Sequence, residues 1–200
     1  MGKHWNLFLM PYEYVVKELK EKLRNIRDQY KDKSETSPIE FVTGRVKPVD
    51  SIQEKMVRRN ISEERLENDM EDIAGVRVMC PFVENIYEVV ELIRKRSDMR
   101  IIEERDYVTN AKPSGYRSYH IVIKYPLELI NGKKEFLAEI QIRTLAMNFW
   151  ATLEHSLNYK KNGNFTSDIE LELEQMGQKV YALDQEMSSI RNKILNCKEK

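Results

Sequence analysis

Two stretches of this chain alternate strictly between polar and apolar side chains, and that period dictates a sheet with two unlike faces. Over residues 116–124, one alternation gives Tyr116, Ser118 and His120, and the other gives Tyr119, Ile121 and Ile123. Over residues 137–143, Glu139, Gln141 and Arg143 alternate with Ala138, Ile140 and Ile142. Successive side chains of a strand point to opposite faces, so each set lines one face. A merely solvated face more often carries Lys, Thr and Glu. Tyr, Ser, His, Glu, Gln and Arg together can stack a ring, bind phosphate and hold a metal, and they point to a nucleotide site.

The remaining segments supply further strands and the helices that cover them. Residues 5–30 read as an amphipathic helix, with Trp5, Phe8, Tyr12, Val15, Leu19, Leu23 and Ile26 at spacings of three and four. A polar linker follows at 31–38. Residues 41–47 read as a short strand or a loop, and Pro48 suits the first turn of a helix reaching Arg59. Strands are expected at 73–82 and 101–108, with a helix over 83–96 between them. The two alternating strands are joined through Asn131-Gly132, and a helix covers 145–160. Ser167 and Glu170 form a capping box that opens the last helix. Its apolar positions Leu173, Met176, Val180, Leu183, Met187, Ile190 and Ile194 recur every three or four residues. This order predicts an α+β fold: a mixed sheet of about five strands covered by helices. The long terminal helices each carry one apolar stripe, to be packed on the sheet, on each other or on another subunit.

The 200 residues suffice for one substantial core. Lys plus Arg and Asp plus Glu both number 33, so affinity for polyanions must come from local clustering. No apolar run approaches the roughly 18 residues of a membrane span, and the N-terminus lacks the apolar core of a signal peptide. Cys80 and Cys197 fit neither a disulfide framework nor a zinc site, and the cytoplasm is the expected compartment.

Several residues carry chemistry. Asp72 precedes a strand and Glu139 lies inside one; two carboxylates near one sheet edge can hold Mg²⁺ beside phosphates, or they can cap a turn and pair with an arginine. Arg45 and Lys47 place two cations on one side of an extended segment, with Ser51 and Lys55 on the following helix. The glycine-rich P-loop pattern is absent. Arg77, Arg105 and Lys112 add cations around the same proposed face. Tyr116 follows Gly115, where a backbone can approach a ligand, and its ring can stack a base. His120 shares that face, either as a site residue or as a hydrogen-bonded strand histidine. His155 reads as structural, and the three histidines lack a metal-ligand spacing.

Residues 41–52 (FVTGRVKPVDSI), 72–78 (DIAGVRV), 114–120 (SGYRSYH), 139–144 (EIQIRT) and 150–160 (WATLEHSLNYK) resemble the synthetase domain of RelA/SpoT-type alarmone synthetases. The motifs run in order from about 40 to 160, and the chain is similar to the stand-alone RelQ type, without hydrolase or C-terminal regulatory domains. The resemblance implies a single nucleotidyltransferase-like synthetase domain over 1–200: an N-terminal helix at 1–33, a core at 40–160, and a helix at 167–198 for packing or oligomerisation. It implies transfer of the β,γ-pyrophosphate of ATP to the ribose 3′-OH of GDP or GTP, giving (p)ppGpp and AMP. Asp72 and Glu139 would hold Mg²⁺, and Glu139 is the candidate base. Arg45 and Arg77 would sandwich adenine, while Lys47, Ser51, Lys55 and Arg105 would hold the ATP phosphates. Tyr116 would stack on guanine. Lys112, His120, Gln141 and Arg143 would line the acceptor's phosphate and ribose side, and Ala151 matches a backbone contact to guanine.

Lys17, Lys20, Arg24, Arg27 and Lys31 fall within an arc of roughly 80° on the first helix. They form either a solvated edge whose stems cover the core or an anion site. RelQ-type enzymes are homotetramers whose central cleft binds the alarmone as an activator, and Lys20, Arg24, Arg27, Phe41 and Asn148 match that cleft. The competing readings are a non-catalytic nucleotide-binding regulator and an RNA-binding protein using the basic stripe, although no dense basic-aromatic patch supports RNA.

Overall fold

The computed structural model describes residues 4–32, 36–160 and 165–198. In chain order the elements are α1 (Trp5–Asp32), β1 (Phe41–Val46), α2 (Val49–Arg59), the single turn α3 (Leu66–Asp69), β2 (Ala74–Cys80), α4 (Val83–Arg94), β3 (Arg100–Asp106), β4 (Tyr119–Leu129), β5 (Gly132–Thr144), α5 (Leu145–Lys160) and α6 (Ser167–Lys198). Residues 33–35 of the expected linker lie outside the described residues; residues 31 and 32 extend α1. The segment 41–47, open between strand and loop, is a strand from Phe41 to Val46.

The five strands form one open mixed sheet in the order β1-β2-β5-β4-β3, with only the β2–β5 pair parallel. Period-two alternation decides its faces. Ala74, Val76, Val78 and Cys80 of β2, Ala138, Ile140 and Ile142 of β5, and Ile121 and Ile123 of β4 are fully buried on one face. α1 contributes Tyr12, Val15, Leu19 and Leu23 to the same core, and α4 contributes Ile86, Val89, Val90 and Ile93. At roughly 25 cal/mol per Å² of apolar surface, each fully buried Leu, Ile or Val contributes about 1.5–3 kcal/mol, so these side chains dominate the fold's stability. The opposite face carries the polar alternation and forms a polar cleft.

Local chemistry sets the boundaries. α2 ends at Asn60, whose left-handed backbone (φ 52°) returns its N–H to the last turn. Pro48 stands just before α2, as its N-cap rather than inside its first turn. The β4–β5 hairpin turns on Ile130 and Asn131, with Leu129 paired to Gly132. Gly132 therefore opens β5 and takes the positive φ (104°) that follows the turn. β3 stops at Asp106, whose Oδ1 accepts the N–H groups of Val108 and Thr109 at 2.8 and 3.1 Å. That side chain bends the chain out of the sheet. Thr144 caps α5, accepting the Met147 N–H at 3.0 Å.

Two expectations change. β4 begins at Tyr119, not at 116, because the residues before it form a turn. In α6 the first helical bond runs from Glu170 N–H to Thr166 C=O, so Thr166, not Ser167, occupies the capping position. The apolar stripe of α6 faces outward: Met176, Leu183, Met187, Ile190 and Ile194 are about half exposed. The residues that face the core are Gly177, Asp184 and Ser188, with Tyr181 partly buried. Among the described residues no helix is long and apolar enough to cross a membrane.

Candidate active site

Sheet register assembles the site. Thr43 pairs with Arg77, Arg77 with Gln141, Gln141 with His120, and His120 with Arg105. One polar row thus crosses all five strands, a span of roughly 19 Å at the usual strand spacing. A neighbouring row runs through Arg45, Gly75 and Glu139. The centre of these rows is a cleft of about 240 Å³ lined by Arg45, Lys47, Asp72, Arg77, Glu139 and Gln141 among others.

Both carboxylates are held ionised. Glu139 Oε1 meets His120 Nδ1 at 2.9 Å, and Oε2 accepts Gln141 Nε2 at 2.7 Å. Burial pushes this carboxyl up, but the hydrogen bond and charge of His120, with Gln141 and Lys55, outweigh it and hold it at about 2. Asp72 Oδ2 accepts Lys47 Nζ at 3.1 Å, and Lys55 Nζ lies 2.8 Å from Oδ1. Burial again opposes, and the two lysines again win, leaving Asp72 below the usual carboxylate range. Oδ1 is buried, with the Lys55 ammonium as its close partner.

Around this pair the cations are crowded. Arg77 donates from Nε to Gln141 Oε1 at 3.3 Å. Burial lowers its pKa, and the Arg143 and Arg45 guanidiniums lower it further. Lys112 is likewise lowered by burial and by the charges of Arg105, Arg143 and Arg59, against the pull of Glu139. Like charges that depress one another mark a place built for an anion.

Beside His120 the polar row meets an aromatic ring. Tyr116, carried by the turn before β4, bonds through its hydroxyl to His120 Nε2 at 2.8 Å and accepts Arg143 Nη2 at 2.5 Å. Burial pushes that hydroxyl up against the opposing charge of Arg143. Lys112 lies 5.0 Å from the Tyr116 ring centroid. Arg143 Nε also donates to the buried Ser118 Oγ at 3.2 Å. The alternation of Tyr116, Ser118 and His120 is thus realised on one face although Tyr116 precedes the strand.

Arg105 stands in the row but is engaged. Nη2 lies 2.9 Å from both oxygens of Glu71, and Nε donates to Glu103 Oε1 at 2.6 Å. Ser51 shares a helix face with Lys55 at i, i+4. Ala151 is buried within α5 and is not among the residues lining the cleft. On the other side of β1, Lys20, Arg24 and Arg27 lie along α1; Arg24 pairs with Glu21, and Arg27 reaches Asp28 and, at 3.5 Å, the Glu40 carbonyl beside Phe41. The Lys31 side chain lies outside the described residues, and among them nothing joins Asn148 to this stripe. Two participants escape the sequence patterns. Tyr107 packs edge to face on His120, with centroids 5.2 Å apart, and lies under Lys112. Glu71 is the partner of Arg105. A lone loop aromatic and a lone acid carry no periodic signal.

Cations crowded about two ionised carboxylates, on the open face of a five-stranded sheet, define a polyphosphate-binding α+β protein. Residues 44–164 match the region found in RelA/SpoT proteins, and the chain belongs to that family. It is 52% identical over 192 residues to the GTP pyrophosphokinase YjbM of Bacillus subtilis strain 168, covering 96% of this chain and 90% of that one. Its fold is similar to the small alarmone synthetase 1 from Bacillus subtilis bound to its product pppGpp (TM-score 0.93, 52% identity, 96% and 99% covered). It is also similar to the same synthetase bound to AMPCPP (TM-score 0.85, 48% identity, 98% and 100% covered).

Proposed function

We infer that this chain is a GTP pyrophosphokinase: it transfers the β,γ-pyrophosphate of ATP to the ribose 3′-OH of GDP or GTP, giving (p)ppGpp and AMP. The carrying observation is that Asp72 and Glu139, both held ionised, share one cleft with Arg45, Lys47 and Arg77. The relatives' names and bound nucleotides support the same reading.

In this reaction the 3′-oxygen attacks the β-phosphorus, the bond from that phosphorus to the bridging oxygen of AMP breaks, and AMP leaves. Such a transfer asks for in-line positioning and charge neutralisation. Arg45 and Arg77 flank the adenine with flat guanidiniums. Lys47, Ser51, Lys55 and Arg105 receive the triphosphate, beside the start of α2, which has no side-chain cap. Tyr116 stacks the guanine, with Ala151 against its edge, and Lys112, His120, Gln141 and Arg143 line the ribose and phosphates. Glu139 accepts the hydrogen bond of the 3′-OH and takes up its proton. A carboxylate at about 2 is a weak base, so its larger contribution is to aim the oxygen.

Asp72 and Glu139 also fit Mg²⁺. Both are ionised and line one cleft, and Asp72 Oδ1 is buried beside the Lys55 ammonium. Two carboxylates suit a hard cation that completes its shell with water and phosphate oxygens. Held by Asp72 and Glu139, Mg²⁺ would supply charge neutralisation for the transferred pyrophosphate.

The outward apolar residues of α5 and α6, such as Phe149 and Leu183, support assembly into a homotetramer. Lys20, Arg24, Arg27, Phe41 and Asn148 would then contribute to a (p)ppGpp effector cleft between subunits. Nucleotide substrates of this kind suit the cytoplasm. The test is chromatography of products from purified chain, ATP, Mg²⁺ and GDP or GTP. Equal yields of AMP and a guanine nucleotide bearing two added phosphates are expected. No AMP, with or without added product, refutes the reading.

A further inference from the structure

Gly177 stands in the middle of α6, where glycine costs about 1 kcal/mol against alanine. Its φ is not positive, so its backbone does not require glycine. Its surroundings do. A Cβ on Gly177 would lie 2.6 Å from the Gly115 carbonyl oxygen and 2.9 Å from the Gly115 Cα, where ordinary contact begins at 3.4 Å. Gly115 does need its own freedom, at φ +85°, and a Cβ there would meet the Glu174 backbone at 3.1 Å. Two backbones therefore touch with no side chain between them.

The turn on which α6 rests leads directly into the acceptor side. Gly115 N–H closes it on the Lys112 carbonyl at 2.8 Å, and Lys112 N–H returns to the Tyr116 carbonyl at 3.1 Å. One helical turn past Gly177, the Tyr181 ring carries the Arg117 guanidinium at 3.8 Å. Arg117 in turn donates to the Val108 carbonyl, across the base of the same loop. Further along, Asp184 accepts Thr144 Oγ1 at 2.6 Å, at the end of the strand that carries Arg143. The residues α6 turns inward are thus spaced to meet the acceptor turn and the end of β5, while its apolar stripe points away.

We infer that Gly177 is a positioning residue: by letting the α6 backbone close onto the turn at residues 112–115, it fixes where Lys112 and Tyr116 meet the guanine nucleotide. This rests on the acceptor-side assignment made above. A Cβ at 2.6 Å must push the turn back by about 0.8 Å, and displacements near 1 Å cost up to about a hundredfold in reaction rate. The main packing partners of α6 are α5 and α4, whereas Arg45, Lys47, Ser51, Lys55 and Arg77 of the ATP side lie on or beside β1, β2 and α2.

The experiment is calorimetric titration of the full chain with GDP and separately with ATP, beside steady-state turnover. Gly177→Ala is expected to weaken GDP binding by roughly tenfold or more while leaving ATP affinity within about twofold. Tyr181→Ala, which keeps the α6 backbone contact, is expected to weaken GDP binding by a smaller factor. Tyr181→Phe, which keeps the ring under Arg117, is expected to restore it. These two variants decide the matter should Gly177→Ala not fold. Unchanged GDP affinity in folded Gly177→Ala, or in Tyr181→Ala should Gly177→Ala not fold, overturns the inference, as do equal losses for both nucleotides. A wild-type chain that binds GDP but releases no AMP refutes the synthetase reading and leaves the GDP–ATP contrast to decide the positioning claim. A wild-type chain that binds no GDP overturns both.

Discussion

Replacing Asp72 by asparagine separates what the carboxylate does for the fold from what it does for the reaction. Asp72 faces two ammonium groups at 3.1 and 2.8 Å, and all three side chains are a fifth exposed or less. Each pair gains Coulomb energy but loses hydration, leaving a net worth of about 1 kcal/mol. The substitution Asp72→Asn therefore costs about 2 kcal/mol, which for a domain of this size lowers Tm by about 4–8 °C. Typical domains hold about 5–15 kcal/mol, so the variant stays folded at 25 °C.

Turnover responds on another scale. Loss of one oriented transition-state contact costs roughly 10²–10³ in rate, and Asp72 also anchors Lys47 and Lys55, the two lysines proposed to receive phosphate. The expected kcat falls by about a thousandfold or more. Without magnesium, binding of ATP moves the other way. Removing one negative charge roughly 6 Å from a phosphate is worth about 1 kcal/mol, a several-fold gain in affinity. The assay is AMP release by ion exchange, calorimetry of ATP in EDTA, and a thermal melt on the same preparation. A variant that melts as calculated yet keeps kcat within about tenfold of the parent refutes the assignment of Asp72 to the reacting phosphates.

Glu71→Gln leaves Arg105 with Glu103 alone, so KM for ATP should fall several-fold with KM for GDP unchanged; equal shifts in both refute Glu71 as a competitor for the phosphate site. Glu139 has its folded pKa depressed from its ordinary 4.5 to about 2, so its stabilising contribution is complete above 4.5 and disappears as pH falls through 2. Melts between about pH 6 and pH 2 should show a slope over that window that Glu139→Gln reduces; parallel curves refute the pairing. The double variant Lys20→Ala/Arg24→Ala should keep the basal rate and lose activation by added product; activation intact removes these residues from an effector site.

What the sequence shows and conceals follows from which constraints are periodic. Glu139, Gln141 and Arg143 were legible because a strand sorts its side chains by twos and the buried set Ala138, Ile140 and Ile142 fixes the phase. Tyr116 was legible for a partly wrong reason: it reaches the polar face from the Gly115 turn, not from a strand. α6 misleads because hydrophobic period marks a stripe without saying what it faces. Five of its seven apolar positions are about half exposed, and its inward contacts include a glycine against a backbone and an aspartate against a threonine. Such contacts depend on approach distance, which composition does not encode. Tyr107 and Glu71 are single residues outside any repeat, and only the folded chain sets them against His120 and Arg105.

The same partners explain how so many like charges coexist in one cleft. Lys47 and Lys55 rest on Asp72, Arg105 on Glu71 and Glu103, and Arg143 on Tyr116, Ser118 and Gln141. Each internal partner stands in for an oxygen that the nucleotides would bring. Binding is then an exchange of partners, not the capture of free cations, so its net electrostatic gain per contact is modest. Selectivity must come from geometry: in the proposed reading Arg45 and Arg77 on β1 and β2 stack one base and Tyr116, before β4, stacks the other, with Glu139 on β5 between them. A polyphosphate lacking either base would fill the cations but leave the 3′-oxygen unaimed. Inorganic tripolyphosphate should therefore compete with ATP for the cleft yet support no transfer to GDP.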